Sequence, residues 1–148
     1  MSDAPDPAAP PPNGFVTLMG LHLHEITAER VTASLDAGPQ HHQPTGLVHG
    51  GVHAAIVETV ASMGGWAAVR DQGLGVVGVH NATDFLRPHR EGMLHAVGRP
   101  LHVGRTQQIW DIVITRESDD KVVARGQVRL QNVAADGSAQ REGGSASS

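Results

Sequence analysis

Three residues in one short span have the chemistry to act on a ligand: Gln43, Gly50 and Glu58. The stretch from Gln43 to Gly51 (QPTGLVHGG) runs directly into an apolar segment from Val52 to Val69. Glu58 stands inside that segment, among Ala54, Ala55, Ile56, Val57, Thr59, Val60 and Ala61. A carboxylate taken away from water must be paired, hydrogen-bonded or neutralised. A long small-residue helix with a carboxylate at its middle is therefore costly unless the carboxylate has a task. Plainer readings stand beside this one. Glu58 would also suit a solvent-facing or subunit-facing helix position, Gly50–Gly51 a simple helix entrance, and Gln43 a solvated loop.

The elements needed to hold these residues can be read from periodicity. Phe15 to Met19 fits a turn of helix against the core, and Leu21, Leu23 and Ile26 alternate with polar residues as a first strand. Arg30 to Asp36 alternates again, with Val31, Ala33 and Leu35 on one face. Ala37 to His49 is loop, and the helix follows from Gly50 or Gly51 to about Arg70, ended by Asp71-Gln72-Gly73. Strands are then expected over Gly75 to Arg87, Met93 to Val103 (broken at Arg99-Pro100), Thr106 to Arg116 and Lys121 to Val133. Hairpin turns are expected at Glu91-Gly92 and Asp119-Asp120. The order β-β-α-β-β-β-β with a single long helix predicts an α+β fold, a mainly antiparallel six-stranded sheet wrapped around that helix. The sheet's other face is expected to be covered by further subunits.

Composition narrows the function classes. The chain has 148 residues, 39% apolar, enough for one domain with its own core. Eleven basic against fifteen acidic residues, and 3% aromatic content, argue against a nucleic-acid surface. No cysteine is present, which excludes disulfides, thiolate metal sites and cysteine nucleophiles. No apolar run is judged to reach the roughly 20 residues that cross a bilayer, and the acidic, Pro-rich N-terminus lacks the pattern of a signal peptide. A cytoplasmic protein without membrane contact is the expectation. Residues 1–13 (Pro-rich) and 134–148 (Gly, Ser and Ala) are expected to be disordered tails, leaving a domain over 14–133.

Ten histidines raise the question of a metal, and His49 and His53 stand four apart. There is no HExxH pattern and no acidic residue at ligand spacing beside either, so no metal is expected. Trp66 and Trp110 are read as packing residues.

Gly46-Leu47-Val48-His49-Gly50-Gly51, with Gln43 before it and Glu58 after it, resembles the hotdog-fold acyl-CoA thioesterases. The branch it is most similar to holds the phenylacetate-degradation thioesterases, 4-hydroxybenzoyl-CoA thioesterase of the Arthrobacter type and 1,4-dihydroxy-2-naphthoyl-CoA thioesterase. Two further segments agree in order: Asn81 to Pro88 (NATDFLRP) and Arg99 to Trp110 (RPLHVGRTQQIW). The resemblance spans about Gly20 to Val133.

What it implies is hydrolysis of an acyl-CoA, with an aromatic or bulky acyl group, without cofactor or metal. By resemblance the Gly50 amide, in the first helical turn, would hold the thioester oxygen. Glu58 would act as nucleophile or as general base on water. Gln43 would orient the carbonyl or the water, His49 would touch the acyl group, and Ser62, one turn on, would support Glu58. Arg87, His102, Gly104, Arg105 and Thr106 would bind coenzyme A, the arginines at its phosphates. The carboxylate serving a given glycine amide would come from a partner subunit, in a homodimer or dimer of dimers. The hotdog fold also hosts dehydratases and acyl-CoA binders without catalysis, and a binder is the alternative here.

Overall fold

The computed structural model describes residues 14–135. A short helix, α1 (Phe15–Met19), leads into β1 (Leu21–Ile26) and β2 (Val31–Ala37). The long helix α2 (Gly50–Val69) follows, then β3 (Leu74–Phe85), β4 (Gly92–Val103), β5 (Gln107–Arg116) and β6 (Val122–Ala134). All six strands join one sheet in the order β1-β2-β4-β5-β6-β3, and every neighbouring pair is antiparallel. This is the hotdog arrangement, with α2 packed against every strand.

The helix buries Ile56, Val57, Val60, Ala61 and Gly64, a three-to-four residue spacing that turns one face inward. Opposite it lie Leu35, Leu94, Trp110, Ile112, Ile114, Val128 and Leu130, all at most 1% exposed. Each such side chain contributes about 1.5–3 kcal/mol through burial. Gly64 and Gly65 let the helix settle: a Cβ at Gly64 would stand 2.3 Å from the Trp110 ring, and one at Gly65 2.3 Å from Leu130. The two tryptophans differ: Trp110 packs in the core, whereas Trp66 is half-buried outside it. Trp110 is wholly buried, and Arg70 lies 4.9 Å over the Trp66 ring. The helix ends in a tight turn over Arg70–Gln72 and Gly73 in the left-handed region (φ 71°).

Four expectations change. Helix α2 with its last turn, Gly50–Gln72, is 23 residues long and holds an 18-residue stretch of mean hydropathy 1.2, so by length and composition it is long and apolar enough to cross a bilayer. Glu58 interrupts the run of letters but not the average; here the helix is the core element under the sheet. Glu91-Gly92 is no hairpin, because β3 pairs with β6 at the edge while β4 lies between β2 and β5. The connection 86–91 therefore crosses an end of the sheet. Strand β4 continues through Arg99-Pro100, the register shifting only between Pro100 and His102. Finally, β6 extends to Ala134, and the Ala135 amide bonds to the Gly73 carbonyl. The tails expected at 1–13 and beyond Ala135 lie outside the described residues.

On the outer face of the sheet β6 presents Arg125, Gln127 and Arg129, and β3 adds Val77, opposite Gln131. Exposed apolar residues stand along β3 and just beyond it (Val77 and Val79, about half exposed, then Phe85 and Leu86), at the end of β4 (Leu101 and Val103) and on α1 (Phe15 and Leu18). Among the described residues strand β3 pairs on one side only, so its other edge offers unpaired main-chain groups.

Candidate active site

The loop before α2 is fixed by its own main chain. The Gln43 amide donates to the Leu47 carbonyl (2.8 Å) and the Gly46 amide to the Gln43 carbonyl (2.9 Å). This turn places Gly46 at φ 79°, which glycine adopts without steric cost. The Val48 amide then bonds to His89 O and the His49 amide to His41 O, each at 2.8 Å. Histidines 41 and 42 serve as struts, their Nε2 atoms 2.7 Å from Met19 O and 2.6 Å from Arg90 O.

At the helix entrance the free amides are nearly all spoken for. The His49 ring caps α2, Nδ1 accepting from the Gly51 amide at 2.8 Å, and the His49 carbonyl accepts from Val52. Among the described residues the Gly50 amide alone of these three has no partner. It opens on a cleft of about 310 Å³ lined by Gln43, Leu47, Val48, His53, Phe85, Leu86, Arg87, Pro88 and His89. The Phe85 ring lies so close that a Cβ at Gly50 would stand 2.8 Å from it. Gln43, Gly50 and Arg87 are thus brought together. The His49 ring instead faces a second groove with Phe15, Leu18 and Val52. The Gln43 side chain donates to Thr45 Oγ1 (2.9 Å), and Arg87 Nη1 donates to the Val122 carbonyl (2.7 Å). Arg116 fastens the far wall by donating to Pro88 O (2.9 Å) while pairing with Asp119. That hydrogen-bonded pair holds the Asp119 carboxyl down to about 2.

Glu58 is not in this cleft. Eight residues along a helix is about 12 Å, too far for both groups to act on one carbonyl within a chain. Nor is Glu58 buried, contrary to the expectation from its apolar neighbours: it lies on the face of α2 that the sheet leaves open, where β3 is the last strand. Its carboxylate rests beside Gly78, where a Cβ would come within 2.9 Å of Oε1. Asn81 steadies this turn of helix, its Nδ2 donating to Ala54 O (3.0 Å) while its Oδ1 accepts from Thr83. Ser62, half-buried one turn on, makes no hydrogen bond to Glu58 among the described residues.

Gly104, Arg105 and Thr106 form the β4–β5 connection, with His102 in the last residues of β4, at the other end of α2. There Gln108 bonds to the Gly65 carbonyl (3.1 Å), about 22 Å along the helix from Gly50. Asn132 braces this turn through the Gly104 and Arg105 carbonyls, both at 3.1 Å. The Gly104 amide is taken by the Gln107 carbonyl (2.8 Å), so it is not free for a ligand. The Arg105 side chain is exposed and forms no ion pair among the described residues.

His53 was weighed in the sequence only as a metal ligand. The structure puts it in the cleft, 4% exposed, three residues after Gly50. Its ring centroid lies 6.1 Å from that of Phe85, and Nδ1 has no hydrogen-bond partner. Burial, and secondarily the nearby His89, lower its pKa from 6.5 to about 4, so the ring is neutral at pH 7. The signal for it in the sequence was a polar residue one helical turn after the donor glycine.

Comparison with known proteins identifies the family. The profile described as Thioesterase superfamily matches residues 45–123. A Mycobacterium tuberculosis protein described as a candidate esterase is 45% identical over 137 residues, covering 88% of this chain and 97% of that protein. Its solved structure superposes with a TM-score of 0.79 at 47% identity, over 82% of this chain and 97% of the other. A Klebsiella pneumoniae protein named proofreading thioesterase EntH is 37% identical over 71% of this chain and 76% of its own length. A Haemophilus influenzae thioesterase structure gives a TM-score of 0.78 at 29% identity, over 84% of this chain and 85% of that one.

Proposed function

The chain belongs to the thioesterase superfamily and is a thioester hydrolase, and from that premise we propose that it cleaves an acyl-CoA at a site shared by two copies of itself. One observation carries the reading. The unpartnered Gly50 amide and the exposed Glu58 carboxylate sit about 12 Å apart on one helix, beside an unpaired strand edge.

Two-fold pairing along that edge resolves the separation. Ala54 is midway between Gly50 and Glu58, and Asn81, bonded to Ala54, is near the midpoint between Gly78 and Phe85. An axis passing there turns the partner's Glu58, beside its Gly78, toward Gly50 beside Phe85. The partner's Arg105 turn, braced by Asn132 opposite Val76, is carried toward Arg87. One symmetry operation therefore joins the carbonyl-binding, carboxylate and phosphate-binding groups, and covers Val77 and Val79.

In this site the Gly50 amide hydrogen-bonds the thioester oxygen and stabilises the oxyanion as it forms, helped by the helix N-terminus. Gln43 orients the carbonyl. The partner's Glu58 attacks the carbonyl carbon and displaces the CoA thiolate, leaving a mixed anhydride that water hydrolyses to the acid. Alternatively, it takes a proton from a water that attacks and passes that proton to the departing thiolate. Arg87 and Arg105 bind the phosphates. The apolar walls Leu47, Phe85 and Leu86 favour a bulky or aromatic acyl group, in keeping with the phenylacetate and hydroxybenzoyl branch. The test is thiol release from a panel of acyl-CoA esters by wild type and Glu58→Gln. Turnover that depends on Glu58 supports the reading; binding without turnover in the wild type replaces it with an acyl-CoA binder.

A further inference from the structure

The histidines around the cleft have structural tasks, with one exception. His41, His42 and His89 each bond through Nε2 to a main-chain carbonyl, and His49 caps the helix. His53 makes no hydrogen bond among the described residues, and its Nδ1 is closed to solvent. An unpaired buried polar atom keeps the full penalty of its lost hydration. A leucine at this core-facing position would avoid that cost. Nδ1 is out of a ligand's reach, so the ring meets the cleft through Nε2, which also lacks a protein partner among the described residues and is left for a group that arrives with the ligand.

We infer that His53 is a specificity-determining residue: its imidazole hydrogen-bonds a hydroxyl on the acyl group held beside Gly50. This rests on the acyl-CoA reading above. The ring lies one helical turn from the amide assigned to the thioester oxygen, on the same side of α2. Its reach is therefore to the acyl portion next to the carbonyl, with Phe85 packed alongside. A neutral imidazole offers one donor and one acceptor, and a hydroxyl can meet either. Because burial holds the ring uncharged at pH 7, it has no charge to offer a carboxylate substituent. A site built to bond a hydroxyl rejects the analogue lacking it, since its own polar atom is then left unpaired.

The experiment compares kcat/KM for matched CoA thioesters: benzoyl against the 2-, 3- and 4-hydroxybenzoyl isomers, and hexanoyl against 3-hydroxyhexanoyl. Wild type is expected to prefer at least one hydroxylated member by about tenfold or more. In His53→Leu that ratio falls to about one, and in His53→Asn, which keeps a donor and an acceptor, part of it returns. If the leucine variant does not fold, His53→Phe is read in its place. A wild-type ratio near one in every pair, or a preference that survives in the apolar variant, overturns the assignment. Glu58-dependent turnover of unsubstituted esters with flat ratios removes the role of His53 alone. Turnover of no ester at all removes the acyl-CoA reading beneath it.

Discussion

Glu58 faces solvent and makes no hydrogen bond or ion pair among the described residues, so it contributes little to the stability of the isolated fold. Glu58→Gln should change unfolding free energy by less than about 0.5 kcal/mol while lowering kcat about 10²- to 10⁴-fold; denaturant melts and steady-state kinetics on one preparation check both. His53 is the opposite case. Its folded pKa of about 4 lies below the unfolded 6.5, so the unfolded state binds the extra proton between those values. Stability is fully present above pH 6.5 and declines as pH falls toward 4, by on the order of 2–3 kcal/mol. Denaturation at pH 7 and pH 4.5 should show this decline in wild type and a flatter profile in His53→Leu. Equal slopes would contradict the buried neutral ring. At this scale the meeting of Gln43 and Gly50 at one helix entrance was legible because a loop running straight into a helix is a local feature. The environment of Glu58 was not, since burial depends on which strand happens to end the sheet.

At the scale of elements, α2 fits because two adjacent glycines face Trp110 and Leu130. Gly64→Ala gains helix propensity of about 1 kcal/mol, yet its Cβ must displace a fully buried indole. Overpacking of this kind costs about 1–3 kcal/mol, and Gly64→Val should cost more; thermal melts of both variants would show it. The strands declared themselves through period-two alternation, and the single helix through its length. Which strands neighbour one another was not in the alternation. Glu91-Gly92 reads locally as a hairpin, but β3 finds its partner in β6, almost forty residues further on. The crossing segment that results supplies Leu86, Arg87 and His89 to the cleft, so the misread turn and the unforeseen wall are one fact.

For the whole molecule, the exposed Val77 and Val79 and the unpaired β3 edge are where a second copy is expected, rather than the polar middle of the sheet's outer face. Disrupting that edge should separate the chains and abolish activity together. Val77→Lys with Val79→Lys is predicted to shift the species in analytical ultracentrifugation to monomer, with kcat/KM falling at least 100-fold although Gly50 and Glu58 are untouched.

The most direct test of the shared site is complementation between two inactive chains, Glu58→Gln and Gly50→Val, unfolded together and refolded as a mixture. If each site takes Gly50 from one chain and Glu58 from the other, mixed dimers contain one intact site. Equal mixing should then restore about a quarter of wild-type thiol release from an acyl-CoA ester. Activity no higher than that of either variant alone would contradict a site built across the two-fold axis.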